Sequence, residues 1–370
     1  MKFIIIKDNL RDAIGVVEKV ESENVNLPIL KNVLLSAENN KIKITSTNLE
    51  IAVSCTASGK VIQEGKYTAP TKLLSNIINN IQNDRLNIEQ KGTKIEIKTD
   101  NYEAVIQGIP PDEFPPTPKI RNQELFIEIK GATLKNSVGQ AIVSSEQNDL
   151  RPELNSMLFD FSITSLKFVT TDSFRLSEKT ISSEQFTSNH KENFKLLVPL
   201  KTVGYILRAF KDEEDVRVYH DENQVLFKTN EVEILSRLVE GNFPDYAAIV
   251  PKKFATEIIV KKDDFTNALK LVSVFSNKNS EIKFRVQENK KTVEILSQNS
   301  ALGDNKYILS GKINGDAQEV VFNWKYVSDA LKAIKTEEVF MGMNGESDPA
   351  EIKSAGDGSY FYILKPITGA

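Results

Sequence analysis

The sequence predicts an α+β protein made of three similar copies of one domain, each with two helices packed on antiparallel sheet. Three observations predict it. Landmarks recur at fixed offsets along the 370 residues, period-2 and period-3.6 hydrophobicity alternate in a repeating order, and the connections between strands are short. Leu27-Pro28-Ile29-Leu30-Lys31-Asn32-Val33-Leu34-Leu35 aligns with Arg151-Pro152-Glu153-Leu154-Asn155-Ser156-Met157-Leu158-Phe159 at an offset of 124. The same offset pairs Ser46-Thr47-Asn48 with Thr170-Thr171-Asp172 and Leu10 with Leu134. Tyr67-Thr68-Ala69-Pro70 then meets Leu196-Leu197-Val198-Pro199 at 129, and Phe114-Pro115 meets Phe243-Pro244 at that same offset, so one five-residue insertion explains both values. A fainter third copy places Phe265, Ala268 and Val272 against Leu10, Ala13 and Val17, and Tyr326, Val327, Ala330, Leu331 and Ile334 against Leu73, Leu74, Ile77, Ile78 and Ile81.

Each element follows from its pattern. Phe3-Ile4-Ile5-Ile6 reads as a strand, and Leu10, Ala13, Ile14, Val17 and Val20 then recur at helical spacing. Lys41-Ile42-Lys43-Ile44 and Ile51-Ala52-Val53-Ser54 read as strands. A second helix, entered through Pro70-Thr71, carries Leu73, Leu74, Ile77, Ile78 and Ile81. Arg85-Leu86-Asn87-Ile88 and Lys94-Ile95-Glu96-Ile97-Lys98 then return to strand. Glu38-Asn39-Asn40-Lys41 and Gln90-Lys91-Gly92-Thr93 read as hairpin connections, which makes the sheet antiparallel. Pro110-Pro111-Asp112-Glu113-Phe114-Pro115-Pro116-Thr117-Pro118 and Phe243-Pro244-Asp245-Tyr246 hold extended connections, because proline continues neither helix nor ladder. The domains are expected at residues 1–120, 124–246 and 251–370.

Composition narrows the function. With 40% apolar and 26% charged residues, 17 glycines and 13 prolines, the chain has an ordinary globular composition. Cys55 is the only cysteine, which excludes an intrachain disulfide and a thiolate zinc site. The apolar run at the N-terminus is shorter than the roughly 7 to 15 residues of a signal peptide, and no window approaches the roughly 18 of a membrane helix. A reducing, cytosolic compartment is expected. His190 and His220 share no ligand spacing and are expected as surface histidines. No glycine-rich phosphate loop, HExxH or GxSxG occurs, and no cofactor is expected. Asp149, Asp172, Asp221, Asp245 and Asp304 suit solvated turns. Paired as acid and base, they leave a carboxylate-dependent enzyme built on the repeat as the alternative.

Net charge is −4, which by itself argues against a nucleic-acid coat. Split by element, the reading changes. The first predicted helix is neutral, the second and third carry one net positive charge each, the fourth three and the sixth two, while the fifth carries one negative. The helices thus hold about +6 and the rest about −10. A basic helical layer can follow phosphates without reading bases, although exposed lysines also serve solubility.

Leu27-Pro28-Ile29-Leu30, Thr171-Asp172-Ser173-Phe174-Arg175-Leu176 and Glu240-Gly241-Asn242-Phe243-Pro244-Asp245-Tyr246, in this order and in a chain of this length, resemble the bacterial β sliding clamp, the β subunit of DNA polymerase III. The resemblance spans the whole chain, including Phe322-Asn323 and Tyr326. It implies three DNA-clamp domains per chain and a head-to-tail dimeric ring, helices inside and sheets outside, around duplex DNA. It also implies a non-catalytic processivity factor, cytoplasmic and nucleoid-associated, with no membrane partner. A peptide pocket between the second and third domains would take short linear peptides from the replicative polymerase, clamp loader, repair polymerases and mismatch-repair proteins. By resemblance, Lys72, Lys201, Arg208 and Lys335 line the DNA channel, with Asn24, Asn148 and Arg151 nearby. Asn24 stands where some relatives carry a basic residue. The pocket residues implied are Leu154, Thr171, Ser173, Phe174, Arg175, Leu176, Pro244, Ile249, Ile363 and Lys365. Ser173-Phe174 replaces the Gly-His of some relatives and Lys365 an apolar residue, which implies altered peptide preference. The dimer contact is expected to join Ala104, Val105 and Ile106 on an edge strand to the helix end at Val274 and Phe275.

Overall fold

A computed structural model describes residues 1–20, 27–121, 123–146, 151–287 and 291–368. The first copy runs β1 (Lys2–Ile6), α1 (Lys7–Val17), β2 (Asn32–Glu38), β3 (Lys41–Thr47), β4 (Ile51–Ser58), β5 (Lys60–Gln63), β6 (Gly65–Pro70), α2 (Thr71–Asn80), β7 (Arg85–Lys91), β8 (Lys94–Lys98) and β9 (Glu103–Gln107). The second repeats that order as β10 (Ile127–Lys130), α3 (Gly131–Ala141), β11 (Ser156–Phe161), β12 (Ser165–Thr171), β13 (Arg175–Ser182), β14 (Phe186–Ser188), β15 (Phe194–Pro199), α4 (Leu200–Ala209), β16 (Asp215–His220), β17 (Gln224–Lys228) and β18 (Val232–Arg237). The third is β19 (Thr256–Lys261), α5 (Lys262–Ser273), β20 (Glu281–Val286), β21 (Thr292–Asn299), β22 (Gly303–Ser310), β23 (Lys312–Gly315), β24 (Gln318–Asn323), α6 (Trp324–Ala333), β25 (Glu338–Met343), β26 (Ala350–Ser354) and β27 (Tyr360–Leu364). Every described copy therefore has nine strands and two helices in one order, the repeat that the offsets predict.

The strands form four antiparallel sheets, and their orders expose a rule. One nine-stranded sheet runs β14-β10-β16-β17-β18-β4-β3-β2-β6, joining the last strand of the second copy to the fourth of the first. The other runs β15-β11-β12-β13-β27-β26-β25-β19-β23, joining the fourth strand of the second copy to the last of the third. Each junction pairs five residues, Val232 to Ser236 on Cys55 to Ile51 and Arg175 to Lys179 on Leu364 to Tyr360. The remaining sheets are β5-β1-β7-β8-β9, with five strands, and β22-β21-β20-β24, with four. Their edges, β9 and β22, are the last strand of the first copy and the fourth of the third.

The chain divides into two compact units, residues 1–132 with 187–190 and 201–238, and residues 133–186 with 191–200 and 239–370. In the first, α1 buries Leu10, Ala13, Ile14 and Val17, the face its 3.6 period predicts. Helix α2 buries Leu74 and Ile78 but leaves Leu73 exposed, a correction to the predicted face: residues 73 and 74 lie about 100° apart on a helix, and only one of them meets the sheet. Ile120 and Phe126 pack with Ala52, Tyr219, Leu226 and Leu235 in a separate small cluster. His190 and His220 are not isolated surface residues. The topology stacks their rings 5.3 Å apart and 14° from parallel, and burial lowers both pKa values from the ordinary 6.5. In the second unit, Phe265 of α5 meets Phe284 edge-on, and Phe284 meets Phe322, at centroid distances of 5.9 and 5.7 Å. The Asn323 side chain accepts from Lys325 N and caps α6.

Candidate nucleic-acid and peptide interfaces

Charge is partitioned as the sequence suggests. By the observed ends α1 and α5 are neutral, α2, α3 and α6 carry one net positive charge each, and α4 carries two, a total of +5. The total falls one short of the expected value, because Lys211, Lys335, Lys19 and Glu18 lie beyond the helices and Lys262 lies within α5. Lys72, Lys201, Arg208 and Lys335 are exposed, and none has a carboxylate within ion-pair distance among the described residues. Arg208 lies over the Tyr205 ring, 5.4 Å from its centroid, and Lys335 Nζ donates to Asn136 Oδ1 at 2.7 Å. Many strand cations are neutralised by carboxylates on the same or a neighbouring part of the sheet: Lys43 and Lys228 by Glu233, Lys91 and Lys98 by Glu96, Lys283 and Arg285 by Glu319. Lys72, Lys201 and Arg208 on the helices, and Lys335 two residues past α6, keep their charge for an external anion, and the strand cations largely do not. Arg151 differs from the other expected contacts, since its Nε pairs with Glu153 Oε1 at 3.0 Å. Asn24 and Asn148, and with them Asp149, lie outside the described residues.

The implied peptide residues gather around one turn in the second unit. Asp172 Oδ1 accepts from the backbone N–H groups of Phe174 and Arg175, both at 2.9 Å. Thr171 Oγ1 donates to the Arg175 carbonyl at 2.7 Å and accepts from Ser173 N at 3.1 Å. Held from both sides, Ser173 takes φ +78°, a left-handed conformation costing about 1 kcal/mol or more without such support. The turn presents Phe174, 60% exposed, and Lys365 N donates to the Phe174 carbonyl at 2.9 Å. Thr171, Ser173, Phe174, Arg175 and Lys365 thus share one corner.

Two expectations about side chains need correction. Leu154, Leu176 and Ile363 are buried and offer a floor rather than a wall. Leu176 and Ile363 are register partners on β13 and β27, packed with Leu158, Val169 and Leu197 beneath Phe243, Tyr246, Val250 and Phe361. Arg175 lies on the other face of β13 from Leu176, because neighbouring strand residues alternate. Its charge is already engaged by Asp172 and Asp329. The residues open to a ligand are Ser173, Phe174, Lys365 and Ile249, the last 41% exposed. Pro244 lines an adjoining cavity of about 630 Å³ with Leu158, Leu197, Phe243, Val250 and Phe361, rimmed by Lys167, Lys195, Asp160 and Glu178. Tyr246 donates to Glu178 Oε2 at 2.6 Å across that cavity, and burial together with that carboxylate raises the tyrosine pKa strongly. Sequence reasoning missed Leu158, Leu197 and Phe361. The signal for Leu158 lay in Met157-Leu158-Phe159, an apolar run in β11 that does not alternate, as expected of a strand covered on both faces.

The expected dimer residues also separate. Val105 is 54% exposed on the edge strand β9, but Ile106 is buried, because its side chain faces the core of its own copy. Val274 is exposed and Phe275 partly so. Beside them Leu271 and Leu302 are exposed too, and Asn305 Nδ2 of β22 donates to the Leu271 carbonyl at 2.9 Å. The apolar patch therefore borders the open edge β22, which the sequence pattern did not single out.

Three of the candidate catalytic carboxylates cap turns, whereas Asp304 lies not in a turn but in β22, opposite Gln298. Asp172, Asp221 and Asp245 each accept from backbone N–H groups two or three residues on. A repeat of antiparallel sheets with uncompensated cations on its helices and an apolar floor under a rigid turn defines a docking scaffold for nucleic acid and protein. Profiles of the DNA polymerase III beta subunit match along the chain: the N-terminal domain at residues 1–118, the central domain at 128–245 and the C-terminal domain at 247–368. The beta sliding clamp of Rickettsia felis is 26% identical over 385 residues and that of Synechococcus elongatus 22% over 374, each comparison covering 99% of both chains. Among solved structures, the DNA polymerase sliding clamp of Bacillus subtilis superposes with a TM-score of 0.94 at 24% identity, covering 100% of both chains. The Pseudomonas aeruginosa clamp bound to griselimycin also gives 0.94, at 23% identity and 99% coverage of both chains. The chain belongs to the DNA polymerase III β subunit family, the β sliding clamps. It is a non-catalytic processivity subunit, and the carboxylate-enzyme alternative falls.

Proposed function

We propose that two chains join head to tail through β9 of one and β22 of the other and so encircle duplex DNA. The observation that carries this is the pairing rule of the sheets. Within one chain a last strand joins a fourth strand twice, each time making nine strands, and the strands left over are one last and one fourth, on sheets of five and four. Pairing them between chains makes a third nine-stranded sheet and covers the exposed Val105, Leu271, Val274 and Leu302. A heterologous contact of this kind closes when the rotation suits, here at two chains. Lys72, Lys201, Arg208 and Lys335 would meet backbone phosphates without reading bases, which suits a protein that slides. Asn24, Asn148 and Arg151 would add weaker contacts.

The turn at 171–175, with Ile249, Pro244 and Lys365 around the Leu154, Leu176 and Ile363 floor, would receive short linear peptides from the polymerase, the clamp loader and repair proteins. The workplace is the cytoplasm, at the nucleoid. Among the described residues no helix is long and apolar enough to cross a membrane. Mass measured in solution tests the assembly: twice 41.5 kDa is expected, and a monomer at micromolar concentration overturns it.

A further inference from the structure

Arg175 is the most heavily engaged cation of the second unit, and its engagement is not needed to make its turn. Its Nε donates to Asp172 Oδ2 and its Nη1 to Asp329 Oδ2 of α6, both at 2.7 Å. The guanidinium lies 4.3 Å from the Tyr326 ring centroid, Nη1 is 3.5 Å from Tyr362 OH, and the side chain is 9% exposed. Asp329 also accepts from Lys332 Nζ at 2.8 Å through its other oxygen. Burying such a group is costly, and a buried ion pair is poor evidence of a gain in stability.

The repeat supplies a control within the same chain. In the first copy Asn48 Oδ1 accepts from Glu50 N and Ile51 N, Thr47 Oγ1 donates to the Ile51 carbonyl and accepts from Leu49 N, and Leu49 takes φ +77°. That is the turn of residues 171–175, made with asparagine and isoleucine where the second copy has Asp172 and Arg175. In the third copy Asn299 caps the corresponding turn, and Ser300-Ala301-Leu302-Gly303 carries no charge. The charged pair is present only where the turn meets α6 and presents Phe174.

We infer that Asp329, acting through Arg175, is a positioning residue for peptide docking: it ties the 172–174 turn of the second copy to α6 of the third and so fixes Phe174 as a rigid apolar rim. This rests on the docking-site reading above. Without Asp329 the turn keeps its local hydrogen bonds, as the first copy shows, but loses its anchor on the third copy. The peptide must then order Phe174 as it binds, at an entropic cost.

The test is a double-mutant cycle on the full chain, read by fluorescence polarisation with a labelled peptide from the C-terminus of the replicative polymerase catalytic subunit. Asp329→Ala should weaken binding roughly two- to tenfold, the order expected when one side chain must be ordered as the peptide binds. Phe174→Ala should weaken it as well, and the double variant should bind no more weakly than Phe174→Ala alone. A merely structural role for Asp329 would lower affinity by the same factor in both backgrounds, and that result, or no effect of Asp329→Ala, overturns the inference. If Asp329→Ala does not fold, Asp329→Asn is put through the same cycle and judged by the same outcomes. An affinity unmoved by either Phe174→Ala or Ile249→Ala overturns the docking-site reading itself, whereas loss with those two and none with Asp329→Ala overturns only the role of Asp329.

Discussion

Proline at Val105 isolates the proposed interface from the fold that carries it. Thr99 N donates to the Tyr102 carbonyl, which makes residues 99 and 102 a hydrogen-bonded pair of the β8–β9 ladder. With the register Ile97 to Ala104 and Glu96 to Val105, alternation turns Ala104 and Ile106 toward β8 and leaves the N–H and C=O of Val105 on the open side. A proline there removes no hydrogen bond from its own sheet, and edge strands tolerate it. Across the interface it removes one donor and leaves a covered acceptor unpaired, costing about 1–2 kcal/mol at each junction. A closed ring has two such junctions, so the loss is about 2–4 kcal/mol and the dimer dissociation constant should rise roughly 30- to 1000-fold. Sedimentation equilibrium measures that constant, and melting temperature checks the fold. A dimer constant within a factor of two or so of wild type, in a folded variant, would place the interface elsewhere, since even one lost hydrogen bond should exceed that change.

Other consequences follow from the same geometry. Lys201→Ala with Arg208→Ala should leave the melting temperature unchanged and reduce the salt dependence of DNA binding. The slope of log K against log salt should fall by about 0.9 for each phosphate no longer neutralised, and an unchanged slope would remove these residues from the lining. The pH dependence of stability should carry the signature of the stacked histidines. Burial lowers both native pKa values below 6.5, and the unfolded chain therefore takes up protons first, so stability is full above that pH and declines as pH falls through it. Phe at both positions should flatten that part of the melting curve series between about pH 7.5 and 5.5, and an equally steep decline would assign it to other groups. Ile249→Ala should weaken peptide binding with little change in melting temperature, because that side chain is 41% exposed and lies outside the buried core.

What the sequence shows and hides follows from the range of the interactions. The repeat was readable because the landmarks are local, and the six helices because each has an apolar stripe, as in Leu10, Ala13, Ile14 and Val17. The fusion of copies into nine-stranded sheets was not readable, since the pairings of β18 with β4 and of β13 with β27 join residues far apart in the chain. For the same reason β22 was missed beside Val274, which the resemblance did name. His190 and His220 looked unrelated in sequence because only the sheet brings them together. The resemblance named Arg175 as a pocket residue, but the period-2 geometry of β13 sends its side chain to the opposite face from Leu176. There its partners, Asp329 and Tyr362, come from another copy.

Retention on DNA as a function of DNA topology tests the central claim most directly. Protein loaded by its clamp loader onto a nicked circular plasmid should remain with the DNA through gel filtration at high salt and be lost after one cut by a restriction enzyme. Ends let a ring slide off, while contacts to phosphates are the same before and after cutting. Equal retention on circular and cut plasmid, or equal loss from both, would contradict encirclement.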